Sequence, residues 1–205
     1  VKTGIRRIQD APRPGIAALL KAAGLSKKEI ASSDIAFSVC PRINATGRME
    51  HAAKAVELLV CSDPQKADFT AEQLNINNTH RQEIEQEIYE DVIRQLSEEP
   101  ALAKKRVIVV AGKGYHQGVV GIVASRITEK YEKPAVIIGV DDEENARGSA
   151  RSISGFNIFE AVCACSDLLS HFGGHPGAAG LSLNAADIDL FRNRINVFAA
   201  EKYPV

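Results

Sequence analysis

The chain has 205 residues, 45% hydrophobic and 25% charged, with a formal net charge of -1. No apolar run approaches the roughly 20 residues a membrane span needs and no signal-peptide pattern opens the chain, so a soluble cytoplasmic protein is expected. The charge is uneven: residues 1–50 hold nine Lys and Arg against four Asp and Glu, 51–102 hold four against 11, and 103–205 hold 12 against 11. The basic opening could face a polyanion, which the acidic middle could not do easily.

The first hundred residues read as helical. "RPGIAALLKAAGL" places Pro14 near a first turn and stops at Gly24. "SSDIAFSVC" offers Ser and Asp as helix starters, and "HAAKAVELLV" is rich in Ala and Leu. Between them "CPRINATGRME" carries Arg42, Asn44, Gly47 and Arg48 and reads as an ordered polar loop, or else its arginines merely cap the preceding helix. "SDPQKADFTAEQL" then opens a long helix, with Ser62 or Asp63 as cap and Pro64 at its first position. Ile84, Ile88, Val92 and Leu96 recur every four residues, and the polar run Asn75 to Arg81 ahead of them suggests a connector between lobes.

After Lys105 the period changes. "RVIVVAG" and "KPAVIIGV" read as buried strands on either side of a helix in "HQGVVGIVASRITEKY". "ARGSARSI" reads as a further strand, "NIFEAVCACSDLLSHF" as an amphipathic helix, "AAGLSL" as a strand, and "ADIDLFRNRINVFAA" as a closing helix capped near Asn184. The expected fold is therefore α/β: a helical N-terminal segment (1–62), a long connecting helix (63–102) and a mixed-sheet α/β domain (103–205). The chain opens at Val1 and reads as part of something longer. Its cysteines (Cys40, Cys61, Cys163, Cys165) lack metal-ligand spacing and are expected to be small hydrophobes in a reducing cytoplasm.

Three segments could carry chemistry. "FGGHPGAAGL", Phe172 to Leu181, surrounds His175 with Gly173, Gly174, Gly177 and Gly180. The glycines could cap the preceding helix. Alternatively, they expose backbone N–H groups to close approach by phosphate oxygens, with His175 as polar contact. "GSARSISG" places Ser149 and Arg151 on one face if it is a strand, a natural phosphate clamp, though the spacing alone favours a solvated surface strand. "GKGYHQGVVGIVASR" lacks a complete dinucleotide fingerprint, but His116 at a helix N-terminus could meet an anion.

Taken in order, "DIAFSVCPRINATGRMEHAAKAVELL", "LNINNTHRQEIEQEI", "GYHQGVVGIVASRITEKYEKPAVII", "GSARSISGFNIFEAV" and "FGGHPGAAGL" resemble the RecJ single-stranded-DNA exonucleases of the DHH phosphoesterase superfamily. The resemblance implies the end of a DHH lobe, a connecting helix, and a DHH-associated substrate-binding domain. It implies that His175, with Gly173 and Gly174, contacts the phosphate next to the scissile bond. It further implies that Ser149 and Arg151 bind phosphate at or near the 5′ end of the strand, joined by Arg48 from the other lobe. Single-stranded DNA is the implied partner, with repair or replication proteins as further ones.

The implied cofactor is Mn²⁺ or Mg²⁺. The chain has no Asp-His-His triplet, and His51, His80, His116, His171 and His175 lack an evident two-metal carboxylate set, so the metal ligands are expected outside it and the chain alone is expected to be inactive. The implied activity of the parent is 5′-to-3′ exonucleolytic phosphodiester hydrolysis in DNA repair and recombination. A nano-RNA or dinucleotide phosphodiesterase of the same superfamily, or a non-catalytic DNA-binding scaffold, are the alternatives.

Overall fold

The computed structural model describes residues 1–26, 29–49 and 52–203 and divides into two units, Val1–Glu83 and Ile84–Val205. His51 lies outside the described residues.

The first unit is helical: α1 (Lys2–Asp10), α2 (Pro14–Ala22), the single turn α3 (Ser32–Asp34), α4 (Cys40–Met49), α5 (Ala53–Val60) and the first half of α6 (Pro64–Glu98). Its core joins Leu19 and Leu20 of α2 to Val39, to Leu58 of α5, and to Ala67, Ala71 and Leu74 of α6. Gly15 lets α2 and α5 cross closely, because a Cβ there would overlap the Leu58 carbonyl. As its sequence predicts, α6 begins at a cap, where Asp63 Oδ1 accepts from the Gln65 N–H at 2.9 Å and Pro64 takes the first position.

Cys40–Met49 of "CPRINATGRME" is not a loop. It forms α4, entered through a π-helical turn, Ile35–Val39, in which the Cys40 N–H donates to the Ile35 carbonyl. The wider turn stands directly before Pro41, a residue with no N–H to give. Arg42 holds the corner together: its Nε donates to Asn75 Oδ1 (2.9 Å), Nη1 to the Ser38 carbonyl (2.5 Å) and Nη2 to the Ala22 carbonyl (3.3 Å). These bonds join α2, the π turn and α6, and they outweigh the poor helix propensity of Asn44, Thr46 and Gly47. Burial draws the Arg42 guanidinium below its ordinary value, with Glu72 opposing.

The second unit holds the rest of α6, then α7 (Pro100–Lys104), β1 (Ile108–Lys113), α8 (Val120–Tyr131), β2 (Ala135–Val140), β3 (Asn145–Arg151), α9 (Ile158–Cys163), β4 (Leu169–His175), β5 (Ala178–Asn184) and α10 (Ile188–Lys202). The strands form one mixed sheet in the order β1-β2-β3-β5-β4, with β1 and β2 parallel through α8 and the other neighbours antiparallel. One face is the core: Val109, Val136, Ile138, Ala146, Ala150, Ala179 and Leu181 pack with Ile158 and Val162 of α9 and Phe191 and Ile195 of α10. Asn196 ties α10 to the chain entering β1, accepting from the Val107 N–H at 2.9 Å and donating to the Val107 carbonyl at 3.0 Å. α8 packs against β2 and β3.

The helix expected over "NIFEAVCACSDLLSHF" ends at Cys163. After a 3-10 turn, Ser166–Leu168, the chain becomes β4. Leu168, Leu169 and Phe172 have spacing that a helix would also accept, but β5 offers β4 an antiparallel ladder, broken once by a register shift between Leu169 and His171. Gly173 and Gly174 therefore lie within a strand and do not cap a helix. All four cysteines are free, and burial pushes the Cys165 thiol up to about 11.

Candidate nucleic-acid interface

Residues paired across neighbouring strands share a face of the sheet. The pairing of β3, β5 and β4 therefore arranges the face opposite the core into rows. The first is Arg151–Ala178–His175, the second Ser149–Gly180–Gly173, and the third Arg147–Ser182–His171. The sequence-predicted residues Ser149, Arg151, Gly173 and His175 thus fall in two adjacent rows. Gly174 faces the other way, opposite Ala179 of the core.

At the β3 end the rows meet α8. Arg151 Nη1 donates to Ser149 Oγ at 2.8 Å and to the Ala150 carbonyl at 2.9 Å, so the guanidinium is held beside the hydroxyl. A Cβ added at Gly121, in the first turn of α8, would stand 2.8 Å from Arg151 Nη2 and 3.0 Å from Ser149 Oγ. The absence of a side chain there brings a helix N-terminus, with its N–H groups and positive dipole end, against an arginine and a hydroxyl. An anion suits such a place. Nothing in "GVVGIVASR" marks Gly121 as facing another element, since that contact comes from β3.

Two histidines are set by the same local device. His175 Nδ1 accepts from the Gly177 N–H at 3.2 Å, and His116 Nδ1 accepts from the Gly118 N–H at 3.1 Å. With Nδ1 an acceptor, the proton of each neutral ring sits on Nε2, which becomes the donor. His175 is exposed on the hairpin between β4 and β5, whereas His116 is half-buried in the turn before α8, its carbonyl accepting from the Val119 and Val120 N–H groups.

The glycines of "FGGHPGAAGL" divide by cause. A Cβ at Gly174 would overlap the Ala178 carbonyl oxygen, and one at Gly177 would stand 3.3 Å from the His175 ring. Gly173 and Gly180 have nothing within 4 Å of a Cβ, and neither has a positive φ. No neighbour and no backbone angle requires glycine at these two positions. They floor an open depression of about 460 Å³ also lined by Gln117, Arg147, His171 and Ser182. Arg147, His171 and Ser182 were missed from the sequence, although each stands an even number of residues from Ser149, His175 or Gly180 along its own strand.

The loop leading to α8 is fastened to α6. The Tyr115 hydroxyl donates to Asp91 Oδ2, Gln95 Nε2 reaches Asp91 Oδ2 (2.9 Å), the Tyr115 hydroxyl oxygen (3.0 Å) and the Ala111 carbonyl (3.3 Å), and the Tyr115 ring lies where a Cβ on Gly112 would be. The Tyr115 bond, with those from Gln95 and Arg94, holds the Asp91 carboxyl below its ordinary value against the opposing effect of burial. Burial and Asp91 raise the Tyr115 hydroxyl.

Lys113, the cation at the end of β1, pairs in register with Val140 on the core side of the sheet, and its Nζ lies 3.9 Å from Glu144. Arg48 belongs to the first unit, exposed near the end of α4. Among the described residues no group of three or more His, Cys, Asp and Glu could hold a metal ion, so they do not fit a two-metal centre. No helix among them is long and apolar enough to cross a membrane.

Residues 104–201 match the DHHA1 domain family. The chain is 39% identical over 197 residues to the single-stranded-DNA-specific exonuclease RecJ of Bacillus subtilis, covering 96% of this chain and 25% of that protein. The crystal structure of Thermus thermophilus RecJ in complex with Mn²⁺ matches at a TM-score of 0.82 and 33% identity, over 98% of this chain and 29% of that one. The same protein with Mg²⁺ matches at 0.85 and 33% identity, over 98% and 30%. The chain thus spans about a quarter to a third of the length of these relatives.

Proposed function

We propose that this chain, which belongs to the RecJ family and carries its DHHA1 domain, is the substrate-gripping part of a 5′-to-3′ single-stranded-DNA exonuclease acting in repair and recombination. Its three parts are a helical end of the catalytic lobe (1–62), a connecting helix (63–102) and the DHHA1 domain (103–205). The observation that carries the reading is the pair of rows beside α8. A guanidinium and a hydroxyl are fixed at a helix N-terminus, and next to them lies a strip of glycine backbone for which the fold itself gives no reason.

In this reading the Ser149–Arg151 pair takes the 5′-terminal phosphate, with His116 bounding the site from the turn before α8. The nucleotide lies along Gly173 and Gly180, where a side chain would hold it off. His175 offers its Nε2–H to a phosphate oxygen next to the bond that breaks, a contact that gains strength as negative charge builds there. The relatives' structures hold Mn²⁺ or Mg²⁺, and the ligands for such ions are proposed to lie outside this chain.

The test is end discrimination in the full-length protein. Arg151→Ala should weaken capture of 5′-phosphorylated single strands by about tenfold or more, the scale of a lost charge-assisted hydrogen bond, and affect 5′-hydroxyl strands much less. An equal loss on both ends would remove the terminal-phosphate role from Arg151.

A further inference from the structure

The open face continues beyond the two rows just described. Two residues before Ser149 stands Arg147; its partner on β5 is Ser182, and opposite Ser182 on β4 is His171. Gln117 reaches the same row from the β2 side: its Nε2 donates to the Gly139 carbonyl at 3.4 Å, and Gly139 is the partner of Arg147 on β2. Arg147 and His171 are both exposed, and the charge of Arg147 is felt by the Asp141 carboxyl at the β2–β3 turn. The row therefore repeats, across two strands, the guanidinium-plus-hydroxyl chemistry that Ser149 and Arg151 present on one. Between the two cationic rows lies the uncharged floor of Gly173 and Gly180.

We infer that Arg147, Ser182 and His171, with Gln117 beside them, form a second anion subsite, which holds an internal phosphate of the same single strand whose 5′ phosphate is held at Ser149 and Arg151. The inference rests on the functional reading above and extends it from one phosphate to a footprint. Arg151 and Arg147 are four residues apart on β3, about 13 Å at 3.3 Å per residue. A stacked strand advances about 3.4 Å per nucleotide and an unstacked one about twice as far. An unstacked strand therefore brings its third phosphate to the Arg147 row when its first is at Arg151, and the two intervening nucleotides cross the glycine floor.

The experiment is a cycle between protein and substrate charge in the full-length enzyme. Arg147→Gln and Arg151→Gln are each measured for binding to 5′-phosphorylated oligonucleotides that carry one uncharged methylphosphonate linkage at the second, third or fourth phosphate, and to an oligonucleotide with a 5′ hydroxyl. Arg147→Gln should weaken binding of the unmodified strand about tenfold and lower the salt slope by about 0.7, the value of one phosphate contact on a single strand. The third-phosphate methylphosphonate should weaken the wild type similarly yet add almost nothing to Arg147→Gln. Losses that add independently at every linkage, or coupling confined to the second or fourth, overturn the subsite. Arg151→Gln separates the two levels. Coupling of Arg151 to the 5′ phosphate with none for Arg147 removes only the second subsite, and no coupling for either removes the functional reading beneath it.

Discussion

Gly173 and Gly180 face each other across β4 and β5, and nothing lies within 4 Å of the place where either would carry a Cβ. One residue along, Gly174 has no such room, since a Cβ there meets the Ala178 carbonyl. Alanine should separate these causes. Gly173→Ala and Gly180→Ala should change stability by no more than about 0.5 kcal/mol, or raise it slightly by narrowing the unfolded ensemble. Gly174→Ala should cost about 1–3 kcal/mol, as overpacking against backbone does. Single-strand affinity should fall for Gly173→Ala and Gly180→Ala although both fold normally. Denaturant melts and binding isotherms on the three variants test the division, and a destabilised Gly180→Ala with unchanged affinity would make the floor a packing feature.

Gly121 gives a second case in which fold and grip part company. The atoms nearest to a Cβ there belong to two side chains, with Arg151 Nη2 and Ser149 Oγ closest, and these can move aside. Gly121→Ala should therefore fold with nearly unchanged stability while displacing the guanidinium from the first turn of α8. The expected result is a reduced preference for 5′-phosphorylated over 5′-hydroxyl strands, by about tenfold if the arginine contact is lost. An unchanged preference would mean that the arginine can bind from more than one position.

Much of this arrangement was legible in the residues. The start of α6 is written in Asp63 and Pro64, and β1 and β2 in their runs of Val and Ile. The shared face of Ser149 and Arg151 follows from strand periodicity alone. What was not legible depends on partners remote in sequence. The stretch around Pro41, Asn44 and Gly47 looks like a loop until Arg42 is seen bonded to Ala22 and Asn75. The run ending in Phe172 looks helical until β5 is laid beside it. The rows of the open face exist only through register, which is why Arg147 and His171 are unremarkable in their own segments while the glycine-rich stretch stands out.

The bond between Tyr115 and Asp91 predicts a pH dependence with a definite sign. The native carboxyl of Asp91 is held below its ordinary value, first by the Tyr115 hydroxyl. The stability this contributes is fully present above the unfolded carboxyl's value, near 3.9, and is lost as pH falls through the lower native value. Tyr115→Phe should cost about 1–3 kcal/mol at pH 7, the range for a hydrogen bond to a charged group or for leaving a buried one unmade. Wild type should then lose more stability than Tyr115→Phe on acidification below about pH 4, so that the two melting curves converge. Parallel curves from pH 7 to 2.5 would show that the bond contributes nothing that depends on the carboxylate charge.

His175 is the residue for which a structural and a functional role differ most. Its ring is exposed, and the hydrogen bond it accepts from the Gly177 N–H at Nδ1 lies in a surface hairpin where water can replace it. His175→Ala in the full-length enzyme should therefore leave the thermal midpoint nearly unchanged. If Nε2–H meets a phosphate oxygen as charge develops, turnover should fall by about 100-fold or more, the scale of one lost transition-state donor at about 2.7–4 kcal/mol. His175→Gln, whose amide can donate from a similar distance, should recover part of the rate. Single-turnover cleavage and melting measured on the same preparations decide the matter. Near-normal cleavage with a lowered midpoint would make the histidine a fastener of the β4–β5 turn, and equal losses for Ala and Gln would point to proton transfer from the ring in place of hydrogen bonding.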